Sequence, residues 1–141
     1  MDHSCPVDSQ IVGFRPMAKI VLVVDDNAVI RQALCRLFTS EPDFDVCGEA
    51  ENGQDAIEKA QVLHPDLIVM DLSMPVMNGI DAARALKTLM PMVPVIIFSE
   101  YSDVFSENEA RSAGISALVS KSENVSVLID KARVLLYPAA A

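Results

Sequence analysis

Residues 20–24, Ile-Val-Leu-Val-Val, are apolar at every position and stop abruptly at Asp25-Asp26. A strand with one wet face alternates apolar and polar side chains, so a run without alternation must be covered on both faces. The segment therefore reads as a central strand of a parallel sheet, with helices above and below it. The rest of the chain repeats the theme. From Lys19 onward, strand-like runs at 44–47, 67–70, 95–98 and 117–119 alternate with helical patterns, the signature of successive βα units. The run at 44–47 is the weakest of the five. Five units with no internal repeat and no linker make one α/β domain, a doubly wound sheet of five parallel strands.

The helical stripes follow the same logic. Asn27 is placed to cap a first helix carrying Ile30, Leu34, Leu37 and Phe38 on one side. Residues 53–63 form a second, with Ala56, Ile57, Ala60 and Leu63 inward, closed by His64-Pro65 because proline cannot continue a helix. Gly79 opens a third, with Ile80, Ala83, Leu86 and Leu89 near helical spacing. A fourth at 105–113 has only a thin apolar stripe. Ser122 is expected to cap the last, lined by Val125, Leu128, Ile129, Ala132 and Leu135. Residues 1–16 have no period and read as a disordered leader, 17–137 as the domain and 138–141 as a short tail.

Composition sets the outer bounds. A chain of 141 residues with 51% apolar content suits one packed domain and excludes a disordered chain. Eleven basic against twenty acidic side chains give a net charge of −9, which argues against a nucleic-acid surface. Cys5, Cys35 and Cys47 have no paired spacing and read as reduced thiols. No apolar run is long enough to cross a bilayer, and the first sixteen residues lack the pattern of a secretory signal, so the expected location is the cytoplasm.

In open parallel sheets ligands bind outside the carboxyl ends of the strands. Those ends carry Asp25 and Asp26 (first strand), Asp71 (third), Ser99 (fourth) and Lys121 (fifth). One aspartate ending a strand is often only a turn-forming residue. Taken together, three carboxylates, a hydroxyl and an ammonium on one edge are specific. The carboxylates repel unless a cation sits between them, and hard oxygen ligands favour Mg2+.

At this point a resemblance enters. Residues 20–27, Ile-Val-Leu-Val-Val-Asp-Asp-Asn, resemble the opening of a response-regulator receiver domain. Residues 65–79, Pro-Asp-Leu-Ile-Val-Met-Asp-Leu-Ser-Met-Pro-Val-Met-Asn-Gly, resemble its phospho-acceptor motif. Ser99 at the end of the fourth run and Lys121 after the fifth resemble the family's switch hydroxyl and lysine. The likeness runs from Lys19 to about Leu136. It implies the flavodoxin-like strand order 2-1-3-4-5 and phosphoryl transfer to Asp71 from a sensor histidine kinase or a histidine phosphotransfer protein. It further implies Mg2+ held by Asp25, Asp26, Asp71 and the backbone carbonyl of Ser73. Lys121 would pair with the phosphoryl group or Asp71, and Ser99 would donate to a phosphoryl oxygen. Such a chain catalyses only its own phosphorylation and dephosphorylation, and is not otherwise an enzyme. Its signal would pass to an output partner or effector domain, and pairing with a second copy stays open.

Departures from the family pattern also bear on function. Leu118 stands where many receivers carry an aromatic switch residue, and Glu100 follows Ser99 where a small residue is usual. That charge either slows phosphoryl entry or opposes an attacking water. Leu72 after Asp71 and Ser122 after Lys121 look more like receivers joined to helix-turn-helix domains. No such module fits between Leu136 and Ala141, so DNA binding is not expected of these residues alone. Three other readings compete. A pseudo-receiver would keep the fold without a phosphorylation cycle. A flavin carrier would need a phosphate loop where Asp25-Asp26 stand, and an aspartate phosphatase a second acid where Ser73 stands.

Overall fold

A computed structural model describes residues 18–100 and 107–137. The expected leader at 1–16, the tail at 138–141 and Phe105 lie outside the described residues. The order is β1 (Lys19–Val24), α1 (Ala28–Thr39), β2 (Phe44–Ala50), α2 (Gly53–Leu63) and β3 (Leu67–Met70). There follow α3 (Gly79–Leu89), β4 (Val95–Ser99), α4 (Glu107–Ser112), β5 (Ala117–Ser120) and α5 (Val125–Leu136). The five strands are parallel in the order β2-β1-β3-β4-β5, as the resemblance implied.

The apolar run of β1 is buried from Val21 to Val24, and β3 and β4 are buried throughout. Alternate residues feed two cores. Leu22, Ile68, Met70 and Ile97 pack under α2 and α3, while Val21, Val23, Val69, Ile96 and Phe98 pack under α1 and α5. Period two along a doubly covered strand sends successive side chains to opposite cores, so neither face tolerates a polar residue.

Helix starts match the sequence reading, with one exception. Asn27 accepts from the Val29 and Ile30 N–H groups, Asn52 from Asp55, and Asn78 from Asp81. Each satisfies donors that have no partner inside the helix. The last helix departs from expectation. Asn124, not Ser122, is the cap, accepting from the Ser126 N–H at 3.0 Å, while the Ser122 hydroxyl pairs with that of Ser120. The α2 end holds as read, with His64 in the left-handed region at φ 52° just before Pro65.

Three packing expectations need correction. β2 runs on to Ala50, because the register with β1 shifts between Val21, opposite Val46, and Leu22, opposite Gly48, so that Cys47 is the extra residue of a bulge. This bulge buries Val46, Cys47 and Gly48 in succession, which hides the strand's continuation from a period-two reading. On α3 the buried stripe is Ala82, Ala83 and Leu86, with Ile80 half-buried and Leu89 exposed. Met92, expected in packing with Met70, Met74, Met77 and Met90, is exposed. α4 is described over Glu107–Ser112, where Ala110 is its buried anchor among the described side chains.

The loop at 72–78 is built tightly. Gly79 donates to the Leu72 carbonyl, Gly53 to that of Met77, and Met77 to that of Pro75 at 2.7 Å. The last bond closes a γ-turn around Val76, whose φ of 68° is strained for a β-branched residue. A Cβ on Gly79 would lie 2.4 Å from the Asp71 carbonyl oxygen, so only glycine lets α3 start this close to the strand end. Gly79→Ala is expected to cost about 1–3 kcal/mol, the usual range for overpacking, read as a lower midpoint in urea unfolding at unchanged slope.

Candidate functional site

The site is assembled by backbone pairing before any side chain takes part. The Asp25 N–H donates to Ala50 on β2, and the Asp71 N–H donates to Val24 on β1, both at 3.0 Å. These bonds continue the parallel ladder one residue past the strands and place both aspartates on one edge. Asp25 is 1% exposed and Asp71 8%. Asp26, one residue on, is exposed. One carboxylate oxygen from each of Asp25, Asp26 and Asp71 lies within 4.8 Å of the other two.

Lys121 closes the cluster from β5. Its Nζ is 3.0 Å from Asp25 Oδ2 and 3.4 Å from Asp71 Oδ1. The resemblance implied a partnership with Asp71; the structure adds Asp25 as the nearer partner. Asp25 Oδ1 also accepts from the Asn27 N–H at 2.9 Å, and Asp71 Oδ1 from the Leu72 N–H at 2.8 Å. Burial works to lower the Lys121 pKa, but the Asp25 carboxylate, then Asp71, outweigh it and hold the ammonium above its ordinary value. Asp71 is shifted upward by its own burial first and by the Asp25 charge second, with Lys121 and the Leu72 N–H offsetting only part. Two buried acids thus share one cation, leaving net negative charge for a divalent ion to neutralise. The hard oxygens of Asp25, Asp26 and Asp71 suit Mg2+.

The remaining sequence candidates fall around this centre. Ser99 ends β4, is 1% exposed, and its carbonyl accepts from the Lys121 N–H at 3.1 Å. Ser73 lies exposed in the loop two residues after Asp71, and Glu100 is exposed just after Ser99. Leu118 is half-buried against the α2–α3 core. His64 is at the opposite end of β3, away from Asp71. The Cys35 thiol, raised to about 12 by burial and then by Glu49, is a poor nucleophile.

Two basic residues outside the cluster form ion pairs that no local pattern in the sequence shows. Arg133 pairs with Asp43 and Glu41, tying α5 to the turn before β2. Arg31 pairs with Glu49 at 2.9 Å, and its Nη1 donates to the Asp25 carbonyl at 2.7 Å. The only hint in the sequence was the position of Arg31, one turn into a helix that begins at the site. Glu49 was hidden with the end of β2.

Comparison with known proteins agrees with this geometry. An open α/β sheet with an acidic cluster and a lysine at its carboxyl edge defines a phosphoryl-handling class of domain. Residues 21–133 match the response regulator receiver domain, and the chain belongs to that family. A protein-glutamate methylesterase/protein-glutamine glutaminase of a Nocardioides species is 42% identical over 107 residues, 74% of this chain and 29% of that protein. The chain spans only 25–30% of the methylesterases of this kind that it matches. A LuxR-family response regulator of Aurantimonas superposes with a TM-score of 0.78 at 28% identity, covering 84% of this chain and 85% of that one. The response regulator TrrA of Thermotoga maritima, solved with Mg2+ and BeF, superposes at 0.76 with 30% identity over 84% and 99% of the two chains. This chain is thus a receiver domain of two-component signalling with an acidic pocket fit for a metal. Among the described residues, no helix is long and apolar enough to cross a membrane.

The raised pKa of Asp71 has a sign that can be tested. The folded state holds this proton more tightly than the unfolded chain, so stability falls as pH rises through the raised value. Without divalent cations, Asp71→Asn should melt above the wild type at neutral pH. The gap should close as the pH drops into the ordinary carboxylate range, as followed by circular dichroism melts in EDTA.

Proposed function

We propose that Asp71 accepts a phosphoryl group from a phosphohistidine on a sensor kinase or phosphotransfer protein, and that the phosphorylated domain signals through β4, α4 and β5. The observation that carries this reading is Lys121 bridging Asp25 and Asp71 inside a three-carboxylate cluster. Asp71 Oδ1 is engaged by Lys121 and the Leu72 N–H, which leaves Oδ2 for the new bond. The O–P bond forms as the donor N–P bond breaks, and the imidazole leaves with its electron pair. Asp25, Asp26, Asp71 and the Ser73 carbonyl would hold Mg2+. When bound, that ion neutralises charge on the phosphoryl oxygens. Lys121 supplies the second positive charge, and shifts from Asp71 to the phosphoryl group once it is attached.

An apolar groove beside the site supports a helical donor. Ile30, Leu34 and Leu37 of α1, Phe98 of β4 and Val125 of α5 line it, with Val29 on its rim 74% exposed. A helix laid there would bring a histidine side chain to the carboxyl edge of the sheet. The donor and the domain would meet in the cytoplasm. Whether a methylesterase or a transcriptional effector receives the signal depends on sequence outside these residues, since a protein-glutamate methylesterase and a transcriptional regulatory protein both match. The intact cluster favours this cycle over a pseudo-receiver.

Incubation with acetyl phosphate and Mg2+ should give hydroxylamine-sensitive acyl phosphate on the wild type and none on Asp71→Asn. Equal labelling of the two would defeat the assignment. The output is tested separately. Ser99 ends β4 at the site and is buried, so its hydroxyl is the proposed link from phosphoryl group to distal elements. Beryllofluoride should slow or speed amide exchange in α4 and β5 of the wild type. In Ser99→Ala it should still bind while that response shrinks severalfold.

A further inference from the structure

Asp26 differs from the other two carboxylates of the cluster. Asp25 and Asp71 are buried and paired with Lys121 and backbone N–H groups. Asp26 is exposed, and what aims it is the backbone turn that joins it to Asp25. The carbonyl of that joining peptide accepts from Arg31 Nη1 at 2.7 Å. Arg31 Nε is 2.9 Å from Glu49 Oε1, and the two side chains are 18% and 33% exposed. Glu49 is fixed in turn. It pairs in register with Val23 on the bulged part of β2, and its carbonyl accepts from Lys59 of α2. One guanidinium therefore clamps the turn after β1 to the end of β2, using two donors of its planar fork at once.

We infer that Arg31 is a positioning residue for the metal site, holding the Asp25–Asp26 peptide in the orientation that brings Asp26 to within reach of Asp71. The inference rests on the proposed reading of the three carboxylates as a Mg2+ site. It goes beyond that reading because Arg31 touches neither metal nor phosphoryl group, and carries the wrong charge to attract a cation. That charge makes the inference decidable. If Arg31 acted only through its charge, removing it would relieve repulsion of Mg2+ and tighten binding. If it acts by positioning, removing it loosens the ligand set and weakens binding despite the lost repulsion. Partners that orient metal ligands from outside typically change affinity about 10–100-fold.

Three variants separate these cases. Arg31→Met removes fork and charge. Arg31→Lys keeps the charge but replaces the fork, whose Nε and Nη1 reach Glu49 and the Asp25 carbonyl separately, with a single nitrogen. Arg133→Met cuts an ion-pair network of similar kind between α5 and the turn before β2, and serves as a measure of general destabilisation. Mg2+ affinity is measured by titration calorimetry, with melting temperature recorded on the same samples without metal. Positioning predicts that Arg31→Met and Arg31→Lys both weaken Mg2+ at least about tenfold, whereas Arg133→Met leaves affinity at the wild-type value even if it melts lower. Unchanged or tighter binding in Arg31→Met, or full rescue by Arg31→Lys, overturns the inference. Should Arg31→Met fail to fold, Arg31→Lys against Glu49→Gln decides, since both must weaken Mg2+ if the clamp matters. A wild type that binds no Mg2+ at all overturns the metal-site reading itself and this inference with it. Wild-type binding that the variants leave intact overturns the inference alone.

Discussion

Mutual repulsion of Asp25, Asp26 and Asp71 is the constraint around which the rest is arranged. Two like charges about 4 Å apart repel by roughly 4 kcal/mol at the polarity typical near a protein surface. Two of these three are nearly buried, where they lose water as well. The chain holds them there by ladder bonds from Val24 and Ala50, which need no favourable side-chain contact, and by a single ammonium. The stored electrostatic strain is what makes the pocket receptive. A divalent cation would relieve it, whereas a fully neutralised cluster would have little to gain from one.

Keeping such a cluster assembled demands a stiff frame, and the frame accounts for several costly features. Gly79 and Gly53 let the loop after Asp71 press against the strand end and the start of α2. Val76 accepts a left-handed turn to close that loop. Two cores on opposite faces of β1, β3 and β4 then fix the height of every strand end relative to the others. By contrast, the described part of α4, Glu107–Ser112, offers Ala110 as its buried anchor among the described side chains. The frame is thus densest around β1 and β3, the strands that end in Asp25 and Asp71.

The family match spans this frame. The same receiver frame matches 29% of a protein-glutamate methylesterase/protein-glutamine glutaminase and most of a LuxR-family response regulator. Near the end of the sheet, Leu118 packs against the α2–α3 core and Ser99 is buried at the end of β4.

Much of this was legible in the sequence because it depends on local rules. Unbroken apolar runs announce doubly covered strands, Asn27 announces the first helix, and aspartates at strand ends mark the edge where ligands bind. Asp25, Asp26, Asp71 and Lys121 could be placed on one edge from that pattern alone. Tertiary structure decided the rest. The bulge at Cys47 extends β2 and brings Glu49 beside the site, and nothing in a two-residue period shows it. Arg31 looked like one more solvated cation until the fold set Glu49 and the Asp25 carbonyl within its reach. Lys121 chooses Asp25 as its closer partner because β5 arrives at a particular height beside β4. Periodicity and capping act between residues a few positions apart, so sequence carries them. Ion pairs across 18 or 96 positions exist only where packing brings their ends together, and only the folded chain could specify them.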